Sequence, residues 1–292
     1  MKAAPFEYFR ATSVAEVCTC LGEKNFEDCK IIAGGQTLVP LMAMRLARPT
    51  HVIDINRVDT LDGIRDHGDN IEIGAVTRQC AAEKSEIIRQ KIPLLAKALP
   101  NVGHLQTRNR GTVGGSIAHG DPSAEIPLVA LTLGATLTLQ SQTGTRQVEA
   151  NEFFISPMST ALAEDELLTN VRIPVWTEDA KLGCAFHEVA PRKGDYALVS
   201  AAIQLALDDD GTCVRAAVGV GGCGPTPLRL FDVEATLVGQ PLDTKRFDAA
   251  CAIVEDTLDP ESTPQASANY RRRVAPELVR QALTDAMAEA TQ

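Results

Sequence analysis

Two glycine-rich segments constrain this chain more than any other feature: Ala33-Gly34-Gly35-Gln36-Thr37 and, well downstream, Arg108-Asn109-Arg110-Gly111-Thr112-Val113-Gly114-Gly115-Ser116. Glycine lacks a Cβ and tolerates positive φ, so such segments let the main chain approach a phosphate closely. Successive N–H groups then make an anion-binding concavity. Two such segments can grip the two phosphates of a dinucleotide without the usual single-loop fingerprint. Taken alone, Ala33–Thr37 reads as an ordinary βα turn. The second segment is richer, because Thr112 and Ser116 add hydroxyls to the amides of Gly111, Gly114 and Gly115. Arg108 and Arg110 are cations nearby, although the default place for an arginine is a solvated surface.

The composition limits the alternatives. A length of 292 residues suggests roughly two domains, and the apolar and charged fractions, 45% and 23%, are those of an ordinary globular chain. A net charge of −10 argues against a nucleic-acid surface or a polybasic membrane patch, and leaves phosphate binding to backbone dipoles. No apolar stretch approaches the roughly 18 residues of a membrane span. The opening Met1–Phe9 has no apolar signal core, so the expected location is the cytoplasm. The 8 cysteines are too dispersed for a disulfide scaffold. Cys18-x-Cys20 with Cys29 lacks a companion histidine or Cys-x-x-Cys pair, so these read as thiols rather than metal ligands.

Along the chain, Ser13-Val14-Ala15-Glu16 reads as a capping box opening a helix to about Leu21. Lys30–Ala33 is a strand, Leu38–Ala47 a helix and His51–Ile55 a strand, an α/β alternation. Further on, Asn70–Ala75 alternates as a strand, Thr77 caps a short helix, and Ile92–Leu99 and Ala124–Leu133 are helices. Ala135–Leu139 with Arg146–Val148 form hairpin strands, and Leu167–Ile173 is another strand. A polar stretch over Pro174–Lys181 marks a boundary. Ala197–Leu207 and Cys213–Val220, joined by Asp208-Asp209-Asp210-Gly211, predict an antiparallel hairpin. The remainder is helical, with Val279, Leu283 and Met287 on one face of a segment over Ala266–Glu289 that Pro276 should kink or split.

Gly219-Val220-Gly221-Gly222-Cys223-Gly224 matches G-x-G-x-x-G, but Pro225 and Pro227 obstruct a following helix, so it reads as a tight turn leaving a sheet. His119-Gly120-Asp121 lacks a third ligand or nucleophile motif and reads as a polar connection. Asp121 and Glu125 are candidates to accept hydrogen bonds from ribose hydroxyls. Arg192-Lys193-Gly194-Asp195-Tyr196 is a surface turn entering a strand, or a place where one aromatic covers a planar ring.

These segments, with Ala118-His119-Gly120-Asp121-Pro122 and Gly221–Arg229, resemble the medium, FAD-binding subunit of molybdenum hydroxylases, the xanthine dehydrogenase and carbon monoxide dehydrogenase group. The resemblance runs over nearly the whole chain. It implies an α+β fold: two α/β FAD-binding subdomains over residues 1–57 and 58–177, then a C-terminal domain over 178–292 with a three-stranded antiparallel sheet and helices. Ile31, Ile32, Ala33, Gly34, Gly35, Gln36, Thr37 and Leu38 would bind the FAD pyrophosphate, with Thr112 to Ser116. Thr107 and Gly111 belong to the same matched stretch. Val102 would contact the nucleotide end. Glu125 falls where many relatives have aspartate near the ribose. Asp195 and Tyr196 would lie by the isoalloxazine. Leu198 replaces a flavin-contacting lysine of some relatives, so that contact is not implied.

The implied activity is oxidoreductase electron transfer, with no catalytic acid–base residue and no metal on this chain. A large subunit with a molybdenum–pterin cofactor would oxidise substrate. A small subunit with two [2Fe–2S] clusters would relay electrons, and FAD would pass them to an external acceptor in a dimer of heterotrimers. The arginine-rich turn resembles subunits of enzymes hydroxylating N-heterocycles. A stand-alone FAD-dependent oxidoreductase and a non-catalytic nucleotide-binding scaffold remain the alternatives.

Overall fold

A computed structural model describes residues 2–23, 28–176 and 180–292. The N-terminal unit runs β1 (Glu7–Arg10), α1 (Val14–Gly22), β2 (Cys29–Ile32), α2 (Leu38–Ala43), β3 (His51–Asp54). Its strands are all parallel in the order β1-β3-β2. Ser13 caps α1 by accepting from the Glu16 N–H at 3.2 Å, while Glu16 accepts from the Thr12 N–H at 2.7 Å. Helix α1 buries Val17, Cys18 and Cys20 against Ile53 and Ile55. Strand β1, absent from the sequence reading, is exposed at every position, so no apolar alternation marks it. Helix α2 stops four residues short of Ala47, because the chain turns at Arg45 with φ 61°.

The second unit continues β4 (Ile64–Asp66), β5 (Asn70–Gly74), α3 (Gln79–Lys84), α4 (Glu86–Lys91), α5 (Pro93–Ala98), α6 (Leu105–Arg110), α7 (Val113–His119) and α8 (Glu125–Thr132). It closes with β6 (Thr136–Gln140), β7 (Thr145–Glu149), α9 (Ala150–Phe153), β8 (Phe154–Ser156), β9 (Ser159–Thr160) and β10 (Leu167–Pro174). Its five-stranded sheet, ordered β4-β5-β10-β6-β7, is antiparallel throughout. Thr77 is no helix cap: Arg78 takes that place, and the Thr77 hydroxyl is engaged by Gly63. Of the polar boundary 174–181, residues 177–179 lie outside the described residues.

The C-terminal unit holds β11 (Lys181–Val189), β12 (Val199–Leu207), β13 (Cys213–Gly221) and the two-residue β14 (Leu228–Arg229), in that order and antiparallel. Helices α10 (Phe231–Leu237), α11 (Thr244–Thr257) and α12 (Ala268–Ala290) follow. The β12–β13 turn closes where Asp208 Oδ1 accepts from the N–H groups of Asp210 and Thr212. This sheet is covered on both faces. Cys184, Phe186 and Ala202 join the core of the second unit, while Ala185, Ala201 and Ile203 pack under the C-terminal helices. Hence β12 is buried along its whole length and shows no polar alternation. Gly219 of the glycine-rich turn sits where a Cβ would overlap the Thr132 hydroxyl, so that glycine serves the approach of α8 to the sheet.

Helix α12 runs unbroken through Pro276, contrary to a split. An interior proline costs about 3 kcal/mol. Burial of Leu278, Val279, Ala282 and Leu283 against the sheet and α11 offsets that cost.

Candidate functional site

Both glycine segments open into one cleft of about 720 Å³ between the N-terminal unit, the second unit and the turn ahead of β12. Ile31, Ile32, Ala33, Gly34, Gly35, Gln36, Thr37 and Leu38 line it from the β2–α2 connection. Val102, Thr107, Gly111, Thr112, Gly114, Gly115 and Ser116 line it from the α6–α7 side, Asp121 and Glu125 from the start of α8, and Asp195 and Tyr196 from the turn. Segments distant in the chain thus meet at one cavity of the size typical for ligands.

The two glycine segments are built differently. Among the described residues, the N–H groups of Gly34, Gly35, Gln36 and Thr37 donate to no protein acceptor. The second segment is no loop: it is the end of α6 and the first turns of α7. There the Val113 and Gly114 N–H groups donate to the carbonyls of Thr77 and Ala75, both at 3.0 Å. Gly115 donates to the Thr112 hydroxyl at 3.0 Å, as an N-cap does, and Ser116 to the Thr112 carbonyl at 3.2 Å. The amides of Val113 to Ser116 are therefore already satisfied, and what the segment offers the cleft are the Thr112 N–H and the hydroxyls of Thr112 and Ser116. Its glycines answer a packing need, since a Cβ on Gly114 would lie 2.5 Å from the Cβ of Ala75. Gly34 permits a matching approach, where a Cβ would collide with the Arg110 carbonyl.

Arg78 ties the two segments together. Its guanidinium donates to the Arg110 carbonyl and, at 2.6 Å, to Asn56 Oδ1. Asn56 Nδ2 in turn donates to the Ala33 carbonyl at 2.8 Å and to Asp54 at 2.7 Å. Gln79 lies beside them, buried, with Oε1 unpartnered and its amide bonded weakly to the Thr112 carbonyl. Arg78, Asn56 and Gln79 escaped the sequence reading, for no local pattern distinguishes them from ordinary polar residues. Met158 and the Leu162–Leu168 stretch, which also line the cleft, were missed for the same reason.

The arginines of the second segment take other roles. Arg108 makes a two-pronged bond to Glu83 at 2.8 and 3.1 Å and also holds the carbonyls of Val102 and Gly103. Arg110 contributes its carbonyl. Polar binding in the cleft therefore falls to open amides and hydroxyls.

Glu125 is 5% exposed, and burial pushes its carboxyl up to about 8, with Glu188 and Asp121 adding to the rise. It is a neutral acid near neutrality, able to donate a hydrogen bond as well as accept one, which amends its reading as a simple acceptor. Tyr196 is 58% exposed over the cleft mouth. Its phenol is pushed up by partial burial, then by Asp121 and Glu125, while the Thr37 side chain pushes it down. All 8 cysteines carry free thiols, Cys29 and Cys80 half-buried and the others buried. Among the described residues no helix is long and apolar enough to cross a membrane.

Residues 4–176 match the family described as "FAD binding domain in molybdopterin dehydrogenase", and residues 184–286 match "CO dehydrogenase flavoprotein C-terminal domain". The chain is 39% identical over 287 residues to the 6-hydroxypseudooxynicotine dehydrogenase complex subunit alpha of Paenarthrobacter nicotinovorans, covering 98% of this chain and 96% of that one. It is 35% identical to the carbon monoxide dehydrogenase medium chain of Afipia carboxidovorans, covering 98% of each. The crystal structure of quinoline 2-oxidoreductase from Pseudomonas putida 86 superposes with a TM-score of 0.94 at 34% identity, covering 100% of both chains. Similarity of that extent, over both FAD-domain and C-terminal matches, means that this chain belongs to the FAD-binding medium subunits of the molybdenum hydroxylases.

Proposed function

We propose that this chain is the electron-exit subunit of a molybdenum hydroxylase complex that acts on an N-heteroaromatic substrate. Electrons reach its FAD from [2Fe–2S] clusters on a small partner and leave to an external acceptor, while a large molybdenum-cofactor partner oxidises substrate. The observation that carries this reading is the single cleft into which both glycine segments and the Asp195–Tyr196 turn open. The residues fit a dinucleotide: open amides at Gly34–Thr37, hydroxyls at Thr112 and Ser116, and a buried, unpartnered Gln79 Oε1. The names of the nicotine-derivative and quinoline relatives favour an N-heteroaromatic substrate over carbon monoxide.

When bound, FAD supplies the exchange of electrons between one- and two-electron partners. The chain's own part is positional. Amides of the first segment and hydroxyls of the second hold the pyrophosphate. Val102 contacts the nucleotide end, Asp121 and Glu125 the ribose side, and Asp195 with Tyr196 the flavin ring. Arg78 keeps the two phosphate-binding segments in register. The N-terminal and second units, 1–57 and 58–177, enclose the cofactor, and 178–292 closes the flavin end. Assembly as a dimer of heterotrimers and a cytoplasmic location complete the proposal.

Gentle purification from the native cells, with FAD, iron and molybdenum measured in one eluate, tests it. Roughly one FAD, four irons and one molybdenum per chain are expected, the irons as two thiolate-held clusters. FAD without metals in an undissociated preparation would mark a stand-alone flavoprotein. Absence of flavin would leave a scaffold.

A further inference from the structure

Behind Glu125, the sheet under α8 holds buried polar groups without partners. Glu188 pairs with Ser200, and Ser200 with Gly221, so these residues form one row across β11, β12 and β13. The row faces α8: a Cβ on Gly221 would lie 2.5 Å from the Ser200 hydroxyl and 3.2 Å from Leu128. Ser200 is 0% exposed and its Oγ has no hydrogen-bond partner. Glu188 Oε2 is likewise buried and unpartnered. Glu125, in the first turn of α8, lines the cleft and lies close enough for its charge and that of Glu188 to repel. Each unsatisfied buried polar atom costs about 1–3 kcal/mol, so neighbouring ones call for a bound proton or an ordered water.

We propose that Glu125, Glu188 and Ser200 form a proton-binding site behind the cleft, which takes up a proton when FAD binds and releases it when FAD leaves. This rests on the FAD reading of the cleft. Two carboxyls sharing a dry site cannot both ionise cheaply. Burial is the first cause of the upward shift of both, to about 8 for Glu125 and about 7 for Glu188. Near neutrality the pair therefore sits between protonation states. A pyrophosphate brought into the cleft adds like charge beside Glu125 and raises its titration further, which by linkage is proton uptake. Asp121 also faces Glu125 and pushes the same way. Arg108 pushes the other way, with its guanidinium held by Glu83. Tyr196 faces both Asp121 and Glu125, while Glu164, Asp195 and His119 line the rest of the cleft. The sign follows: FAD affinity is full while Glu125 is protonated in the empty chain and falls as pH rises through its titration.

Calorimetric titration of the FAD-stripped full chain with FAD, in two buffers of different ionisation enthalpy, measures the protons directly. At about pH 7.5 the expected uptake is roughly a quarter of a proton per FAD, with affinity falling about tenfold between about pH 7 and about pH 9. Glu188→Gln removes the repelling neighbour and moves that fall to lower pH. Ser200→Ala removes a polar group from beside the pair and moves it higher. Infrared difference spectra of the wild-type chain should gain a protonated-carboxyl band when FAD binds, a readout independent of how the variants fold. FAD binding with no proton uptake, no pH dependence and no such band would overturn the site and leave the FAD reading standing. No FAD binding at any pH would overturn both.

Discussion

The two glycine segments share a composition and do different work. Gly34 to Thr37 line the cleft with N–H groups that meet no protein acceptor, whereas Val113 to Ser116 donate theirs to Thr77, Ala75 and Thr112. The first is a half-buried βα connection in a small unit; the other is a pair of short helices locked into the main core. A run of glycines thus signals close approach in general. Whether a ligand or another stretch of backbone does the approaching depends on what the fold places opposite.

The largest effect expected from this contrast is on stability. Gly114→Val pushes a branched side chain into Ala75 and should cost about 3 kcal/mol, near the upper end for overpacking. Denaturant unfolding would show it, and an effect confined to FAD affinity would put the second segment on the ligand side after all.

Next is the pH dependence of stability. Glu125 has a raised folded pKa, so its contribution is fully present below about pH 4.5, its unfolded value, and is lost as pH rises toward about 8. Glu125→Gln should remove that fall. Glu166 runs the opposite way: its bond to Arg146 holds it below the usual range, so its contribution is lost as pH falls. Unfolding free energies measured at several pH values with both variants separate the two.

Smaller, and selective for the cofactor, is Arg78→Met. Loss of the bridge between Arg110 and Asn56 should weaken FAD binding by about tenfold, roughly one charged hydrogen bond. Arg78→Lys, which cannot reach both acceptors in one plane, should restore little. Fluorescence titration with FAD measures this, and unchanged affinity in both variants would remove Arg78 from the register of the two segments. The least effect belongs to Ser116→Ala, about threefold in FAD affinity with unchanged melting, because one half-buried hydroxyl is lost among several donors.

Features written in local chemistry were legible. The Ser13 cap, the aspartate turn between β12 and β13 and the apolar face of α12 follow from neighbouring residues alone. Strand β1 was not, for it is exposed on both faces and stands only because β3 pairs with it. Nor was the continuity of α12 through Pro276, where packing from both sides outweighs the proline.

By itself the sequence determined where the chain would turn, which runs would be buried, and which segments carry the family resemblance. Only the tertiary structure decided which amides stay open, that Arg78 joins the glycine segments through Asn56, and that Glu125 is a neutral acid. Caps, turns and apolar periodicity act within a few residues along the chain. Hydrogen-bond partners and burial come from residues brought together across it, and those set the charge of a carboxyl and the availability of an N–H.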